Sequence, residues 1–295
     1  MRVKAFLLVS LVLFGGCSKK DAATPPEPRP PASAPAPAAR PAAVAAPVGP
    51  SGTAPFGIEV YTPSKDVPGP ILGAIADEDR TDKDRALDAG RKPGEVLAFF
   101  KLAPGQKVGE LFAATGYTTE LIARVVGESG KVYAQNTTEI LNKFARAPLG
   151  ERLARLAVKN TVMVERAAET PFPDEARGLD AVICVLNYHD FVWQKVDRAK
   201  LNAAVFAALK PGGVYGIVDH SAAKGHGLAD VETLHRIDED TVKAELTAAG
   251  FKLDGESDAL RNAADPRDWN SSPKAAAEAN KRGTSDRFVL RFVKP

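Results

Sequence analysis

The stretch "GELFAATGYTTELIARVVG", from Gly109 to Gly127, decides the fold that this sequence predicts. It passes from an apolar run through a short loop to a segment whose apolar residues, between Leu121 and Val126, recur at helical spacing. Gly127 then ends the helix. We therefore predict a strand over 108–112 and a helix over 119–126. Many α/β proteins hold a nucleotide-like cofactor at such a strand–loop–helix unit.

Strands and helices continue to alternate after this unit. Further strands are predicted at "GKVYAQN" (130–136), "NTVMVER" (160–166), "LDAVICVLNY" (179–188) and "VYGIVDH" (214–220), and helices around 151–158, 198–209 and 239–249. Helices between strands imply a parallel sheet, so we predict an α/β fold with a doubly wound, mostly parallel, Rossmann-like sheet. The final runs, "GFKLDGES" and "DRFVLRFVK", have no predicted helix between them, and we expect them to pair antiparallel at one edge.

The N-terminus, "MRVKAFLLVSLVLFGGCSKK", places two basic residues before an apolar run that is too short to span a bilayer. Residues 1–16 are therefore predicted to be a signal peptide. The small residues before Cys17 resemble a bacterial lipobox, which implies cleavage there and a lipid on the Cys17 thiol. An ordinary signal peptide with a chance cysteine is the alternative. Ser18 resembles the outer-membrane sorting pattern, which implies an exported lipoprotein, anchored in the bilayer and facing the periplasm.

The rest of the chain divides into a tether and a folded domain. Residues 17–55 are rich in proline and alanine and predict an extended tether, although a proline-rich docking segment is the alternative. The domain is predicted over 56–295, with 56–103 as an N-terminal helical cover. If Cys17 is acylated, Cys184 is left without a disulfide partner, and we expect it in the core. The net charge of +2 does not favour a nucleic acid partner.

Four predicted strand ends carry polar or turn-forming residues, in "FAATGY", "QN", "LNYHD" and "VDHSA". A dinucleotide fingerprint needs glycines so that the backbone can approach a pyrophosphate. Phe112 and Ala114 stand where the first two glycines would be, and their β-carbons disfavour NAD. S-adenosylmethionine (SAM) carries no phosphate, and its loop needs mainly one sharp turn, which Gly116 can supply.

From about Arg91 to the C-terminus, the chain resembles the class I SAM-dependent methyltransferases. The resemblance rests on "VGELFAATGYTTELIARVVGESGKVYAQN", "LDAVICVLNYHD" and "ALKPGGVYGIVDHSA", of which the third is the most specific. More narrowly, "LNYHD", "VDHSA", "TLHRID" and "RFVLRF" resemble a group of predicted bacterial methyltransferases of unknown substrate. The resemblance implies a methyltransferase sheet and SAM-dependent methyl transfer to an unidentified small-molecule or protein acceptor.

The same resemblance implies a set of cofactor contacts. Glu110 would lie near the methionine part of SAM, and Asn136 where an acid usually binds both ribose hydroxyls. An amide makes weaker bonds than a charged acid, so we expect a loss of about 1–2 kcal/mol, or about tenfold in affinity. The remaining predicted contacts are Phe112, Ala113, Ala114, Thr115, Gly116, Tyr117 and Asn187.

Residues "NYHD" (187–190) end the fourth predicted strand, on the lip where an acceptor would lie. Methyl transfer needs an in-line nucleophile, and an oxygen or nitrogen acceptor can also need a base. His189 is the candidate base, Asp190 its orienting partner, and Asn187 or Tyr188 a substrate ligand. Alternatively, Tyr188 and His189 merely pack and cap the strand end.

Asp219, His220 and Arg261 are predicted to line the acceptor side. Asp219 and His220 could be grouped with His226 as metal ligands, but no third ligand has convincing spacing, so no metal is predicted. A solvated loop is the alternative. His235, in "TLHRID", is expected to pack structurally or to contact a lid.

Two functions from different classes follow. The first is a lipid-anchored SAM-dependent methyltransferase. The second is a non-catalytic envelope binding or scaffold module with a degenerate methyltransferase fold, because SAM is made in the cytoplasm and no exported source is evident. An isoaspartyl-type protein carboxyl methyltransferase is a narrower alternative suggested by "GYTTELIARVVG", although no acceptor-side motif of that family is present.

Overall fold

The computed structural model describes residues 60–156 and 159–295. The predictions for the signal peptide, Cys17 and the tether lie outside these residues. The helices are α1 (Gly69–Ala76), α2 (Asp82–Arg91), α3 (Pro93–Phe99), α4 (Tyr117–Val126), α5 (Thr138–Ile140), α6 (Arg146–Arg155), α7 (Asp190–Trp193), α8 (Arg198–Ala208), α9 (Val231–Leu234), α10 (Glu239–Ala248) and α11 (Pro273–Glu278). The strands are β1 (Lys107–Leu111), β2 (Lys131–Asn136), β3 (Thr161–Glu165), β4 (Leu179–Val185), β5 (Leu209–His220), β6 (Lys252–Ser257) and β7 (Arg287–Val293).

The seven strands form one sheet in the order β3-β2-β1-β4-β5-β7-β6. Strands β1 to β5 are parallel, and β7 runs antiparallel to both β5 and β6. The predicted doubly wound, mostly parallel sheet with antiparallel pairing at one edge is confirmed. Strands β2 and β3 are added on one side of β1, and β4 and β5 on the other, so the strand order switches between β1 and β4. In open α/β sheets, ligands bind beside such a switch point.

Strand β4 is buried because helices cover both faces of the sheet. Val182 and Cys184 join the core on the face of α8 and α10, and the alternate residues Ala181 and Ile183 join the core beneath α1, α3 and α4. Cys184 is fully buried, as expected of a core residue. This packing fixes the carboxyl ends of β1 and β4 side by side.

The predicted helical cover contains three helices, α1, α2 and α3, of which the last two coincide with the runs "TDKDRALDAG" and "KPGEVLAFFKL" that predict helices. The Thr81 side chain accepts a hydrogen bond from the Asp84 amide, which caps α2, and α3 follows at Pro93. Helix α1 was not predicted in the polar, turn-rich run before them; its buried Ile71 and Ile75 belong to the core that it shares with α4. No helix in the described part of the chain is both long and apolar enough to cross a membrane.

Several predicted boundaries need correction. Helix α11 lies between β6 and β7, where none was expected, because its alanine-rich sequence lacks the apolar period of a buried helix. Strand β4 ends at Val185, so Asn187 to Asp190 form a turn into α7 rather than the strand end. Helix α6 overlaps the predicted helix over 151–158 but begins earlier, at Arg146, and ends at Arg155; residues 157 and 158 are outside the described part.

Candidate active site

The loop between β1 and α4 is closed by the end of β2. The Phe112 amide donates to Gln135 Oε1 (3.2 Å), the Ala113 amide to the Gln135 carbonyl (2.9 Å), and the Ala114 amide to Asn136 Oδ1 (2.9 Å). A phosphate-binding loop instead turns its amides toward the ligand. These three amides are therefore already used within the protein, in agreement with the prediction that the loop does not hold a pyrophosphate.

Asn136 does not occupy the role predicted for it. Its side chain is fully buried, and its carboxamide faces the backbone of Ala114 through the Oδ1 bond and a longer Nδ2 contact to the carbonyl (3.5 Å). A side chain committed in this way cannot also accept bonds from ribose hydroxyls without a local rearrangement. The assignment of Asn136 as a ribose ligand is corrected accordingly.

Phe112 and Ala114 both adopt left-handed backbone conformations, with φ of 49° and 48°. Side chains in this region cost about 1 kcal/mol or more, which is why glycine is usual there. The Phe112 ring is 3% exposed and packs edge-to-face on Phe191, with centroids 4.7 Å apart. The predicted cofactor contact of Phe112 is thus limited to its backbone, because its ring belongs to the core.

The rest of the loop binds the helices around it. Gly116 has φ of 86°, and a β-carbon there would meet Leu149 and Arg152, so this glycine serves a turn and close helix packing. The Thr115 carbonyl accepts a bond from Arg152 Nε (2.8 Å). The Tyr117 hydroxyl donates to an Asp88 carboxylate oxygen of the cover (2.6 Å). Thr115 and Gly116 therefore pack on α6, and Tyr117 contacts the cover.

Glu110, the acid at the end of β1, is buried and accepts a hydrogen bond from the Thr119 hydroxyl. Burial raises the pKa of Glu110 to about 7, against the opposing effects of that bond and of the Arg152 and Arg91 charges. Glu110 is therefore divided between its charged and neutral forms near neutral pH.

The turn after β4 crosses the switch point. Asn187 Nδ2 donates to the Phe112 carbonyl (3.1 Å) and to the Val185 carbonyl (2.7 Å), so it ties the end of β4 to the β1 loop. Tyr188 is fully buried, and its hydroxyl donates to Glu245 (2.8 Å) and accepts from Asn202 (2.8 Å). Tyr188 is therefore a core residue, and its predicted role as a catalytic residue or substrate ligand is not supported.

His189 lies between two carboxylates. Its Nδ1 is 2.7 Å from Asp219 Oδ1, and its Nε2 is 3.1 Å from Asp190 Oδ1. Burial lowers the pKa of His189, but the charges and hydrogen bonds of Asp219 and Asp190 outweigh it and raise the pKa to about 10. An imidazole that is already protonated at neutral pH cannot accept a proton, so the prediction that His189 is a general base is corrected. Asp219, rather than Asp190, is its closer partner.

Three further predicted residues differ in exposure and surroundings. Asp219 is fully buried beneath His189, so it cannot contact an acceptor directly. Arg261 is bound to Glu239 and lies 3.6 Å from Asp286, in a groove rich in carboxylates. The predicted substrate roles of Asp219 and Arg261 are therefore not supported. His220 does line a cavity, and its Nδ1 is 2.7 Å from Ser285 Oγ.

That cavity has a volume of about 170 Å³ and lies beside the ends of β4 and β5. Its ionisable lining is basic: Arg91, Arg287, Lys281, Arg282 and His220, with no carboxylate among the described residues. Leu186 and Trp269 contribute apolar wall. A basic cavity with an aromatic wall fits a small anion better than a cation or a neutral polar molecule.

Two arginines dominate this lining, of which Arg287 is buried and Arg91 is partly buried. Arg91 stacks on the Tyr117 ring, 4.4 Å from its centroid, and Arg287 donates to the carbonyls of Ser285 (3.2 Å) and Gly283 (2.9 Å). Among the residues that the structure describes, neither forms a salt bridge with a carboxylate. Burial and then the Arg91 charge lower the pKa of Arg287 to about 10, and burial lowers the pKa of Arg91.

Sequence reasoning missed this pair. Arg91 ends a surface-like helix and Arg287 begins a strand, so no local pattern separates them from solvated arginines. A hint was available in "DRFVLRF", where a charged residue opens a run that must be buried. Their proximity across almost two hundred residues depends on the tertiary fold, which short motifs do not encode.

The strand order and the loop at the switch point are those of the class I methyltransferase fold, and comparison with solved structures gives the same fold. The [4+2]-cyclase SpnF is 14% identical, with a TM-score of 0.52 over 77% of this chain and 92% of that one. A putative sarcosine dimethylglycine methyltransferase from Galdieria sulphuraria is 15% identical, with a TM-score of 0.51 over 72% and 86%. At these identities the likeness establishes the fold alone, and SpnF carries a different reaction on it.

Curated relatives give a closer sequence match. The ubiquinone/menaquinone biosynthesis C-methyltransferase UbiE of Cronobacter sakazakii is 33% identical over 119 residues, which are 40% of this chain and 43% of that enzyme. UbiE of Escherichia coli O139:H28 is 28% identical over an alignment of 178 residues that covers 50% of this chain and 67% of that enzyme. The chain thus spans less than half of the first relative and about two thirds of the second. No protein-family profile matches the chain.

Proposed function

We propose that this chain is a SAM-dependent methyltransferase that acts on a small anionic acceptor. Three findings support the methyl transfer. The sheet has the class I topology with its switch point between β1 and β4, the curated relatives are methyltransferases by name, and a cavity adjoins the ends of β4 and β5. The anionic character of the acceptor is inferred from this chain's own residues.

The fit of SAM to the site is partial. SAM supplies an electrophilic methyl group on a sulfonium ion. Glu110 at the end of β1 is buried and bound to the Thr119 hydroxyl, and Asn136 is occupied by the loop backbone. Ribose contacts must then come from other groups or from a small opening of the loop, so we expect binding weaker than in a site with a free acid at position 136.

One observation carries the choice of acceptor: Arg91 and Arg287 line the same cavity, and neither pairs with a carboxylate of the described chain. Two guanidinium groups that repel each other in a buried cavity are stabilised when an anion lies between them. Binding a carboxylate or phosphate group there would fix the orientation of the acceptor. Such positioning can supply most of the acceleration that methyl transfer requires.

The experiment uses the full chain, tritiated SAM and a set of small carboxylic and phosphorylated molecules. Methyl transfer to at least one anionic acceptor is expected. Arg287→Met and Arg91→Met should lower the transfer at least about tenfold, as loss of a charged hydrogen-bond partner costs about 1.5–3 kcal/mol. Arg177→Met removes an exposed arginine of a surface pair and should leave transfer unchanged. Equal losses in all three variants would contradict the proposed acceptor site.

A binding module that has lost methyl transfer is the second candidate. The closure of Asn136 on Ala114 and the placement of the Phe112 ring in the core favour it, because both reduce what the loop offers to an adenosyl group. This candidate predicts that the folded protein neither binds SAM nor transfers a methyl group. It also predicts that the basic cavity still binds an anion, with Arg287→Met abolishing that binding.

We also propose that the exported protein is held at the membrane by a lipid on Cys17. The proposal rests on the sequence "LFGGCS" alone. Mass spectrometry of the mature N-terminus should find an acylated cysteine, and Cys17→Ser should release the protein into the soluble fraction. An unmodified Cys17 in membrane-bound protein would contradict it.

A further inference from the structure

Three potential ligand atoms converge beside the ends of β4 and β5. His189 Nε2 lies 3.1 Å from Asp190 Oδ1 and 3.4 Å from His235 Nδ1, and His235 Nδ1 lies 3.8 Å from Asp190 Oδ1. The residues come from the turn after β4, the start of α7 and the end of α9. This group differs from the Asp219, His220 and His226 set weighed from the sequence.

The three distances match the edges of a coordination polyhedron. A point equidistant from the three atoms lies about 2.0 Å from each, within the range of Zn–N and Zn–O bonds of about 2.0–2.2 Å. An ion slightly above the plane of the three atoms would keep bonds of that length. Two histidines and one carboxylate form a donor set that suits divalent first-row transition metals.

Neighbouring side chains hold the three residues in place, as the outer partners of metal ligands do. Asp219 lies 2.7 Å from His189 Nδ1 and holds the proton of that nitrogen, so a metal bound at Nε2, toward the other two atoms, would replace the second proton of the imidazolium. The Trp193 indole donates to Asp190 Oδ1 (2.7 Å). Carboxylate–histidine–metal arrangements use the same outer partner to fix the ring and its tautomer.

His235 is held in an uncommon backbone conformation, with φ of 50° and ψ of 49°. Its carbonyl accepts a hydrogen bond from the Ser271 hydroxyl (2.6 Å), which anchors the residue at the end of α9. Non-glycine residues in this region are strained and concentrate at functional sites. Here the strained backbone holds the His235 ring beside His189, with ring centroids 5.4 Å apart.

The cluster is open on one side. The His189 side chain is 4% exposed, whereas those of Asp190 and His235 are 21% and 28% exposed. Catalytic zinc sites commonly combine three protein ligands with an open position for water or substrate. The three residues therefore offer ligand atoms on one side of the proposed ion position, and the other side is accessible to solvent.

We propose that His189 Nε2, the Asp190 carboxylate and His235 Nδ1 bind one divalent transition-metal ion such as Zn²⁺, which keeps an open position toward solvent. The proposal does not depend on methyl transfer, and a metal-binding protein without methyltransferase activity would still satisfy it.

The test measures Co²⁺ and Zn²⁺ binding to the full chain after treatment with a chelator, by equilibrium dialysis and by the visible absorption of bound Co²⁺. About one ion per chain is expected, with competition between the two metals. His235→Asn should weaken binding at least about a hundredfold, because even changes to outer-shell partners cost about 10–100-fold. Asparagine tolerates positive φ, so this variant should retain the fold.

His226→Asn is the matched control. His226 also contacts a carboxylate, Asp230 at 2.9 Å, but it is half exposed and belongs to no described triad of ligand atoms. Wild-type and His226→Asn should bind alike. The proposal is overturned if the wild-type chain binds no Co²⁺ at about millimolar concentration, or if folded His235→Asn binds as tightly as wild type.

Discussion

At the scale of single residues, Glu110 makes the stability of the protein depend on pH. Its folded-state pKa of about 7 lies above the ordinary value of 4.5, because burial disfavours the charged form. Between these values, Glu110 remains protonated in the folded state but ionises in the unfolded state. Its contribution to the free energy of unfolding is therefore lost as pH rises from about 4.5 to 7. The full loss is about 3 kcal/mol.

Glu110→Gln should remove this pH dependence. The free energy of unfolding of the variant, minus that of wild type, should rise by about 2–3 kcal/mol between pH 4.5 and 7.5 in urea titrations. Glu278→Gln alters an exposed glutamate paired with Lys274, and it should show no such rise. Parallel curves for Glu110→Gln and wild type would show that Glu110 is not a buried acid with a raised pKa.

Residue identities were easier to predict than residue roles. The sequence located the polar strand ends, and the structure does bring His189, Asp190, Asp219 and His220 together. The sequence could not show which of these side chains face a cavity. The buried Tyr188 hydroxyl, for example, finds its partners on α8 and α10, which are 14 and 57 residues away in sequence.

At the scale of elements, the β1–α4 loop combines two strained residues with amides that β2 holds. Ala114 has φ of 48°, where glycine carries no side-chain penalty. Ala114→Gly should therefore leave stability unchanged or raise it by up to about 1 kcal/mol. Thermal unfolding measures the difference.

A matched control uses the same substitution in a regular helix. Ala203 is exposed within α8, and Ala203→Gly should cost about 1 kcal/mol through the lower helix propensity of glycine. If Ala114→Gly destabilises as much as Ala203→Gly, the loop does not carry the backbone strain inferred here.

Most elements follow from local patterns, because buried parallel strands and amphipathic helices have distinct apolar periods. The exceptions have a physical reason. Helix α11 packs through little more than Ala276 and offers no apolar stripe. Strand β5 includes "KPGG" (210–213), although proline and glycine favour a turn. The place of β7 between β5 and β6 depends on tertiary pairing, which alternation alone does not specify.

At the scale of the whole molecule, one buried ion pair holds the C-terminal segment against the strand ends. Arg236 is fully buried and donates to Asp265 (2.7 Å), to the Ser221 carbonyl (3.1 Å) and to the Trp269 carbonyl (3.1 Å). Trp269 in turn lines the basic cavity. The cavity wall therefore depends on this pair.

Asp265→Asn should destabilise the protein by about 3–5 kcal/mol, because it leaves the Arg236 charge buried without compensation. Urea unfolding measures the loss. Asp174→Asn breaks an exposed pair with Arg177 and should leave the free energy of unfolding nearly unchanged. Similar small costs for both variants would mean that the segment is held by other contacts.

The most direct test of the proposed methyltransferase is calorimetric titration of the full chain with SAM and with S-adenosylhomocysteine. We expect saturable binding of both, with dissociation constants of about 10 μM to 1 mM, because Asn136 replaces a free acid at the ribose position. Absence of heat and of any thermal shift at about 5 mM ligand would contradict a SAM-dependent function and leave only the methyltransferase fold.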